Sequence, residues 1–372
     1  MAATIPRLPI GRLRDGMAGL FRIHTAEDGP ADRPAYVSSV RVGPRMHALL
    51  VIGEDGREIG RLPLAGRGHD IAVDRVRRRV AAFARRPGYF AVIVDLGRMA
   101  PLATINPPDG HHFFGHGVFS DDGRLLFATE NAFLGERPRG VVGVYDVEAG
   151  GRRIGEFETH GMDSHEILLA PDGRTLVVAN GGIETHPEFG RQKIDLSEMR
   201  PSIVRIDSDT GECIGETRLD ASLNRLSTRH MAFDGSGALW FGCQWEGERT
   251  RRPPLVGRIG PGGDGDAALI AFPDDIAPLA RNYIGSVTAS RDGAAVAVAS
   301  PIGGTVFVFD AERHSLAKVH ALRDGCGIAG AVGHDFVASA GDGRLVGVAD
   351  DGLTPITRPA GVEFDNHMRR VG

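Results

Sequence analysis

Short runs of alternating apolar and polar residues recur along the chain, and each run ends at an Asp-Gly or Ser-Gly turn. The pattern is clearest in GHGVFSDDGRLLFATEN (115–131), SHEILLAPDGRTLVVANGG (164–182) and GSVTASRDGAAVAVAS (285–300). Alternation with a period of two predicts half-buried strands, and the intervening turns predict hairpins. A later D-x-x-x-G segment marks a further turn in most units, so each unit is predicted to be a four-stranded antiparallel sheet.

A single sheet of this kind leaves one face exposed, so successive copies must stack, and stacking around an axis gives a propeller. We count seven units, which begin near Tyr36, Gly66, Phe114, Ser164, Thr228, Ile284 and Cys326. The sequence therefore predicts an all-β fold, a seven-bladed β-propeller with four-stranded antiparallel blades. It predicts one propeller domain over 35–372 after an N-terminal lead-in over 1–34. The C-terminal GVEFDNHMRR (361–370) is expected to close the ring against the first blade.

Composition and charge narrow the function classes. With 43 basic against 48 acidic residues, the chain lacks the basic footprint of a nucleic-acid-binding protein, and we predict no such partner. Three cysteines have no metal-ligand spacing and cannot organise a disulfide framework. No apolar stretch has the length of a membrane span, and MAATIPRLPIG does not read as an export signal.

Histidines recur where successive units enter their first strands. Aligning the units on those strands places one residue of each at the same position; these residues are His69, His116, His165, His230, Ser286, Cys326 and His367. The first strands of propeller blades line the central channel, so equivalent positions should converge near one point of it. Imidazole is a common transition-metal ligand. We therefore predict a metal site at the channel mouth formed by His69, His116, His165 and His230, with Cys326 and His367 as lesser candidates.

A second polar ring is expected at the far end of each first hairpin, at Glu130, Asn131, Asn180, Gln244 and Ser300. Such side chains would hydrogen-bond the imidazoles. Glu130, the one carboxylate among them, is the candidate general base or extra ligand. Asp70 and Glu166 directly follow their histidines, so on a regular strand both would point away from the ring.

Three alternatives remain open at this stage. WD-repeat propellers carry a Gly-His at each blade start whose histidine bonds within its own blade, which is a purely structural role. A metal-free scaffold would dock a partner through the top face and the long insertion over 181–202, which contains Glu184, His186, Arg191, Lys193 and Arg200. A lyase or hydrolase would use the channel histidines with Glu130 as acid–base groups.

The segments HHFFGHGVFSDDGRLLFATEN (111–131), ANGGIETHPEFGRQKIDLSEMRPS (179–202) and FDNHM (364–368) resemble a bacterial family catalogued as a domain of unknown function. The resemblance covers the chain from about residue 35 to its end. It implies a seven-bladed propeller, usually exported by the twin-arginine route. It also implies genes that neighbour imelysin-type (EfeO-like) iron-uptake proteins and di-haem oxidoreductases.

What the resemblance implies about function is a periplasmic role in iron or copper handling, with a protein of an iron-uptake system as partner. This sequence lacks the family's twin-arginine leader, so export and retention in the cytoplasm stay alternatives. We therefore expect transition-metal binding or metal-centred redox work in iron or copper acquisition. Iron or copper is the favoured metal, with zinc as a further candidate, and no membrane span is expected.

Overall fold

The computed structural model describes residues 33–372 apart from positions 136, 191 and 264. The predicted lead-in over 1–34 thus lies, except for its last two residues, outside the described residues, and the domain division stays a prediction. Within the described part, 28 strands form seven antiparallel four-stranded sheets. The predicted seven-bladed β-propeller is confirmed.

Blade 1 contains both ends of the described chain. Its strand order is β28-β1-β2-β3, so the last strand lies innermost, as the C-terminal sequence predicted. The pairing of Tyr36 with Arg370 and of Arg41 with Glu363 closes the ring. The strands of this blade are β28 (Glu363–Arg370), β1 (Tyr36–Gly43), β2 (Met46–Ile52) and β3 (Glu58–Leu64).

Blades 2 to 4 each consist of four strands that are consecutive in the sequence. Blade 2 contains β4 (Gly68–Asp74), β5 (Arg79–Ala84), β6 (Ala91–Asp95) and β7 (Ala100–Ile105). Blade 3 contains β8 (His111–Phe119), β9 (Leu125–Ala132), β10 (Arg139–Asp146) and β11 (Arg152–Glu158). Blade 4 contains β12 (Ser164–Leu169), β13 (Thr175–Asn180), β14 (Ser202–Asp207) and β15 (Cys213–Arg218).

Blades 5 to 7 repeat the same consecutive order. Blade 5 contains β16 (Leu226–Phe233), β17 (Leu239–Trp245), β18 (Val256–Ile259) and β19 (Ala268–Ile270). Blade 6 contains β20 (Ser286–Ala289), β21 (Ala295–Ser300), β22 (Thr305–Asp310) and β23 (Ser315–Ala321). Blade 7 contains β24 (Gly325–Gly330), β25 (Phe336–Ala340), β26 (Leu345–Ala349) and β27 (Gly352–Thr357).

Helical structure in the described part is confined to single 3₁₀ turns in the connections. These turns are Pro187–Phe189, Leu196–Glu198, Ala221–Leu223, Pro261–Gly263 and Ala277–Ala280. None of these turns has the length or the apolar character that a membrane-crossing helix would need.

The apolar core lies between the blades. Val37 and Leu49 of blade 1 pack with Ile71 of blade 2, and clusters of the same kind join every following pair of blades up to the contact between blades 7 and 1. Each sheet therefore buries both faces against its neighbours, which is the physical reason that the units close into a ring. We define the upper face as the end of the ring at which the innermost strand of each blade begins and the strand next to it ends.

A histidine cluster at the top of the channel

Five inner strands each place one histidine near the upper end of the channel. None of these five imidazoles belongs to a residue that is more than 6% exposed. The residues are His367 on β28, His69 on β4, His116 on β8, His165 on β12 and His230 on β16. We call them the histidine cluster. The strands come from blades 1 to 5, so the cluster occupies one side of the ring.

The backbone is irregular at these histidines. The pairing of each inner strand with its neighbour shifts register there, and the shifts lie between Gly68 and Ile71, Phe113 and Gly117, Ser164 and Ile167, Thr228 and His230, and opposite Ser38 and Val40. By contrast, β20, which carries Ser286, pairs with β21 without a shift. An extra residue in one strand re-aims the side chains around it. The bulges therefore turn the imidazoles towards the channel axis.

His116 is the hub of the cluster. Its ring centre lies 4.9 Å from those of His69 and His165, 5.5 Å from that of His230 and 5.0 Å from that of His367. Two sets of three residues, His69-His116-His165 and His116-His230-His367, each bring one ligand atom per residue within 4.8 Å of one another. The predicted convergence of imidazoles from neighbouring blades is thus what the structure has, with His367 as a full member.

Several nitrogens of the cluster are buried without a hydrogen-bond partner. They include Nε2 of His116, His230 and His367. Leaving a buried polar atom unpaired costs free energy, and proteins pair nearly all such atoms. The three residues also form one of the groups whose ligand atoms lie within 4.8 Å of one another, so they could hold a metal ion.

Carboxylates from the preceding blade face the Nδ1 atom of three imidazoles. His116 Nδ1 donates to Asp70 Oδ2 at 2.9 Å, which fixes the tautomer of that ring and leaves its Nε2 free, as in many metal sites. His230 Nδ1 lies 3.4 Å from Glu166 Oε2 and His69 Nδ1 lies 3.6 Å from Asp365 Oδ1, and neither nitrogen has a hydrogen-bond partner. These contacts cross from blade to blade, so the histidines do not make the own-blade contacts of the WD-repeat alternative.

The expectation that Asp70 and Glu166 point away from the ring was wrong. It assumed a regular strand with strict alternation, whereas both residues lie within bulges, at Gly68–Ile71 and Ser164–Ile167. Consecutive side chains therefore both face the channel. Sequence reasoning missed these two carboxylates and the arginine between them, although the His-Asp and His-Glu pairs at matching blade positions were an available signal.

Arg369 on β28 bridges the two carboxylates. Its Nε and Nη2 donate to Asp70 at 2.8 and 2.7 Å, and Nη2 also donates to Glu166. Burial would raise the pKa of Glu166, but Arg369, His230 and His116 hold that pKa at about 2. The pKa of Asp70 is likewise held well below its usual value against the effect of burial, chiefly by Arg369. Both groups are therefore ionised acceptors for the imidazoles at neutral pH.

His165 differs from the other members because its partner is a cation. Arg229 Nη1 lies 3.3 Å from His165 Nδ1, and a guanidinium only donates. The Nδ1 atom is therefore the acceptor, and the hydrogen of the neutral ring is on Nε2. In this tautomer His165 presents a donor to the cluster rather than a lone pair.

Burial keeps the imidazoles of His69, His165, His230 and His367 neutral. It lowers the pKa of His69 to about 3, against the opposing effect of Asp365. It also lowers the pKa of His165, His230 and His367. Neutral rings are the form in which histidine binds metals, so no proton has to leave before coordination.

Cys326, predicted as a lesser ligand, is not brought to the cluster. Its Sγ lies 3.6 Å from the Ser339 carbonyl oxygen, and its side chain packs in the apolar layer between blades 7 and 1. Burial raises the pKa of this thiol to about 12, so it stays protonated. Among the described residues it belongs to no group of side chains spaced to hold an ion.

Glu130 is not brought to the cluster either. Its Oε1 accepts from the Tyr145 hydroxyl at 2.6 Å, and its Oε2 accepts from Arg153 at 3.0 Å, within blade 3. Burial raises the pKa of Glu130 in spite of Arg153. Its predicted catalytic role thus has no support from the geometry, since its oxygens already have partners away from the imidazoles.

Three further residues of the expected second ring, Asn131, Asn180 and Ser300, also have their hydrogen-bond partners away from the cluster. Asn180 bonds Ser164 and the Thr159 carbonyl, and Ser300 bonds the Ala280 carbonyl. Asn131 contacts His112, which is outside the cluster. These polar side chains form hydrogen bonds with residues in the nearby connections. They do so because main-chain groups in the loops that enter the inner strands have no partner within the sheet.

The long insertion lies on the upper face and is held to it. Asn131 Nδ2 donates to the Thr185 carbonyl at 3.1 Å, and Lys193 forms an ion pair with Glu246 of blade 5. His186 contacts the ring of Phe133. Arg191 of the same insertion lies outside the described residues.

Comparisons with known proteins show the fold and the family. A chain of Kuenenia stuttgartiensis hydrazine synthase matches with a TM-score of 0.59 at 14% identity, over 91% of this chain and 99% of that chain, which shows a shared fold alone. No curated protein matches the chain. The model of the family described as "Protein of unknown function (DUF1513)" matches residues 62–371, which include every member of the histidine cluster. The chain is therefore a member of the DUF1513 family.

Proposed function

We propose that this protein binds a transition-metal ion through the histidine cluster. The observation that carries the proposal is the set of buried, unpartnered Nε2 atoms on His116, His230 and His367, three residues whose ligand atoms lie within 4.8 Å of one another. His69 lies beside this set, with its ring centre 4.7 Å from that of His367, and its own ligand atom is grouped with those of His116 and His165. Imidazoles bound to one ion at metal–nitrogen distances of about 2.0–2.1 Å have ring centres roughly 5 Å apart.

Three carboxylates border the cluster, and each is also paired with arginine, Asp70 and Glu166 with Arg369 and Asp365 with Arg67 and Arg85. The carboxylates of Asp70, Glu166 and Asp365 contact imidazoles, and carboxylates in this position raise the basicity of a histidine ligand. A site of imidazoles suits iron, copper, zinc or nickel better than calcium or magnesium, which prefer oxygen ligands. Iron or copper is the proposed metal, because the resemblance to the family implies iron-related neighbours.

The proposed role is metal binding or metal-centred redox work during iron or copper acquisition in the periplasm, beside a protein of an iron-uptake system. Sequence resemblance supports this part. His165, whose Nε2 carries the hydrogen of the ring, would offer a hydrogen-bond donor beside such an ion.

The rival function is a metal-free scaffold that docks a partner on the upper face. The observation in its favour is a pair of exposed apolar side chains, Leu134 at 69% and Phe189 at 54% exposure, on connections of that face. A lyase or hydrolase based on Glu130 has no comparable support, because that carboxylate is paired with Tyr145 and Arg153.

Metal analysis of the full chain, purified without a histidine tag and supplied with iron, copper or zinc, tests the proposal. We expect one ion per chain in the native protein, and none in the double variant His116→Ala/His367→Ala. The control His47→Ala removes a histidine of β2 outside the cluster and should keep the ion. Absence of stoichiometric metal from the native protein, or its retention in the double variant, would overturn the proposal and favour the scaffold.

A further inference from the structure

A cavity of about 660 Å³, separate from the histidine cluster, opens on the upper face between blades 5 and 6. Its walls are the connection that follows β17, the connection that precedes β20 and the tip of the long insertion. The lining side chains that matter here are Lys193, Glu246, Arg249, Arg252, Arg281 and Asn282. None of them is a member of the histidine cluster.

The cavity carries uncompensated positive charge. Both oxygens of Glu246, its one lining carboxylate, accept from Lys193 Nζ. In the described part of the chain, Arg249, Arg252 and Arg281 form no ion pair, and the Arg252 guanidinium donates to main-chain carbonyls alone. Three guanidinium groups around a concave site attract carboxylates, which they bind with paired, charge-assisted hydrogen bonds.

Asn282 fixes the connection that carries two of these arginines. Its Nδ2 donates to the carbonyls of Arg249 and Arg251, at 3.4 and 3.0 Å, whereas its Oδ1 atom is inaccessible to solvent and takes no donor.

The wall of the cavity is ordered by its own contacts. The Arg251 guanidinium lies over the Trp245 ring, 4.9 Å from its centre, and Trp245 Nε1 donates to the Glu248 carbonyl at 2.9 Å. The connection that carries the arginines is therefore held in place before any ligand arrives, which reduces the entropy cost of binding.

We propose that this cavity binds a small polycarboxylate, whose carboxylates are bound by the three arginines. The site stands independently of the proposed metal function. It lies close to the histidine cluster all the same, since Glu246 is 3.9 Å from Arg229, which in turn contacts His165.

Calorimetric titration of the metal-free full chain tests the inference, with citrate as probe and acetate, which has a single carboxylate, as comparison. We expect one citrate per chain and at least about tenfold weaker binding of acetate, because fewer charge-assisted bonds form. The triple variant Arg249→Gln/Arg252→Gln/Arg281→Gln should lose at least about tenfold in citrate affinity, because charge-assisted bonds are lost. The control Arg291→Gln changes an exposed arginine in the turn between β20 and β21, at the opposite end of the ring, and should bind like the native protein.

Three results would overturn the inference. Citrate that does not bind the native protein, or that binds the triple variant as tightly as the control, excludes the cavity as its site. Equal affinity for acetate excludes a site that binds more than one carboxylate. If the triple variant does not fold, the single variant Arg281→Gln takes its place, and it should also lose citrate affinity. The variant His116→Ala should keep citrate binding, so failure of the metal proposal leaves this result unchanged.

Discussion

Single hydrogen bonds decide which imidazoles of the cluster offer a lone pair. Asp70 accepts from His116 Nδ1, which leaves Nε2 of that ring as an acceptor, whereas Arg229 donates to His165 Nδ1 and places the hydrogen of that ring on Nε2. Two histidines at equivalent positions on neighbouring blades are thus chemically different. No alignment of the repeats distinguishes them, because the difference arises from residues on adjacent strands.

We therefore expect His165→Ala to affect metal affinity far less than His116→Ala. Loss of a residue outside the coordination sphere typically lowers metal affinity by about 10–100-fold, and loss of a ligand lowers it more. Competition titration against a chromophoric chelator measures both variants, with His47→Ala as the unaffected control. Equal losses for His116→Ala and His165→Ala would show that both rings are ligands and that the tautomer argument is wrong.

His112, which lies outside the cluster, gives a pH-dependent contribution to stability. Burial lowers its pKa from 6.5 to about 4 in the folded state, so the unfolded chain binds more protons in this interval. The contribution is fully present above pH 6.5 and is lost as the pH falls towards 4, with a slope of up to about 1.4 kcal/mol per pH unit.

The variant His112→Phe keeps an aromatic ring against Phe133 and Phe114 but does not titrate. Its free energy of unfolding, measured by urea denaturation from pH 7 to pH 4, should fall less steeply than that of the native protein. Other histidines titrate in both proteins, so the difference between the two curves isolates this residue. Parallel curves would contradict the assigned pKa.

At the scale of the strand, bulges decide which side chains reach the channel. Gly115 precedes His116 within the bulge of β8 and has a φ of +106°, which a residue with a Cβ rarely adopts. A Cβ at this position would lie 2.7 Å from His69 Cδ2. The glycine thus allows two inner strands to bring their imidazoles together.

Gly115→Ala should destabilise the protein by about 1–3 kcal/mol through backbone strain and should also weaken metal binding by displacing His69. Gly150→Ala is a matched control, because Gly150 has a φ of +71° with open space around its Cβ position. Thermal unfolding should show a loss for both variants, and metal titration a loss for Gly115→Ala alone. Unchanged metal affinity in Gly115→Ala would mean that His69 is not a ligand.

Elements were predictable from the sequence where they are regular, and not where they are bulged. Alternation and Asp-Gly turns predicted the strands, and alignment of the units placed His69, His116, His165, His230 and His367 on inner strands, as the structure has them. The same alternation assigned Asp70 to the wrong face, because a bulge breaks the period of two. Polar residues at hairpin ends were assigned to the cluster although they bond their own connections.

At the scale of the whole molecule, the proposed site joins five of the seven blades. An ion bound by side chains from several blades stabilises the folded ring by mass action, since the unfolded chain has no assembled site.

Removal of metal by a chelator should therefore lower the melting temperature of the native protein. At metal concentrations a hundredfold above the dissociation constant, the lost contribution is about 2.7 kcal/mol, or roughly 3–8 °C. Differential scanning calorimetry with and without chelator measures the shift. The double variant His116→Ala/His367→Ala should show no shift, and an equal shift in both proteins would mean that the ion binds elsewhere.

Closure of the ring by β28 has a consequence for biosynthesis. His367 and Arg369 both lie on this strand, so one contact of the cluster and the bridge between Asp70 and Glu166 come from the strand that is synthesised after the rest of the propeller. A nascent chain emerging from the ribosome lacks these groups until β28 has been made. Capture of the ion would then follow the synthesis of β28, and chains truncated before this strand would stay empty.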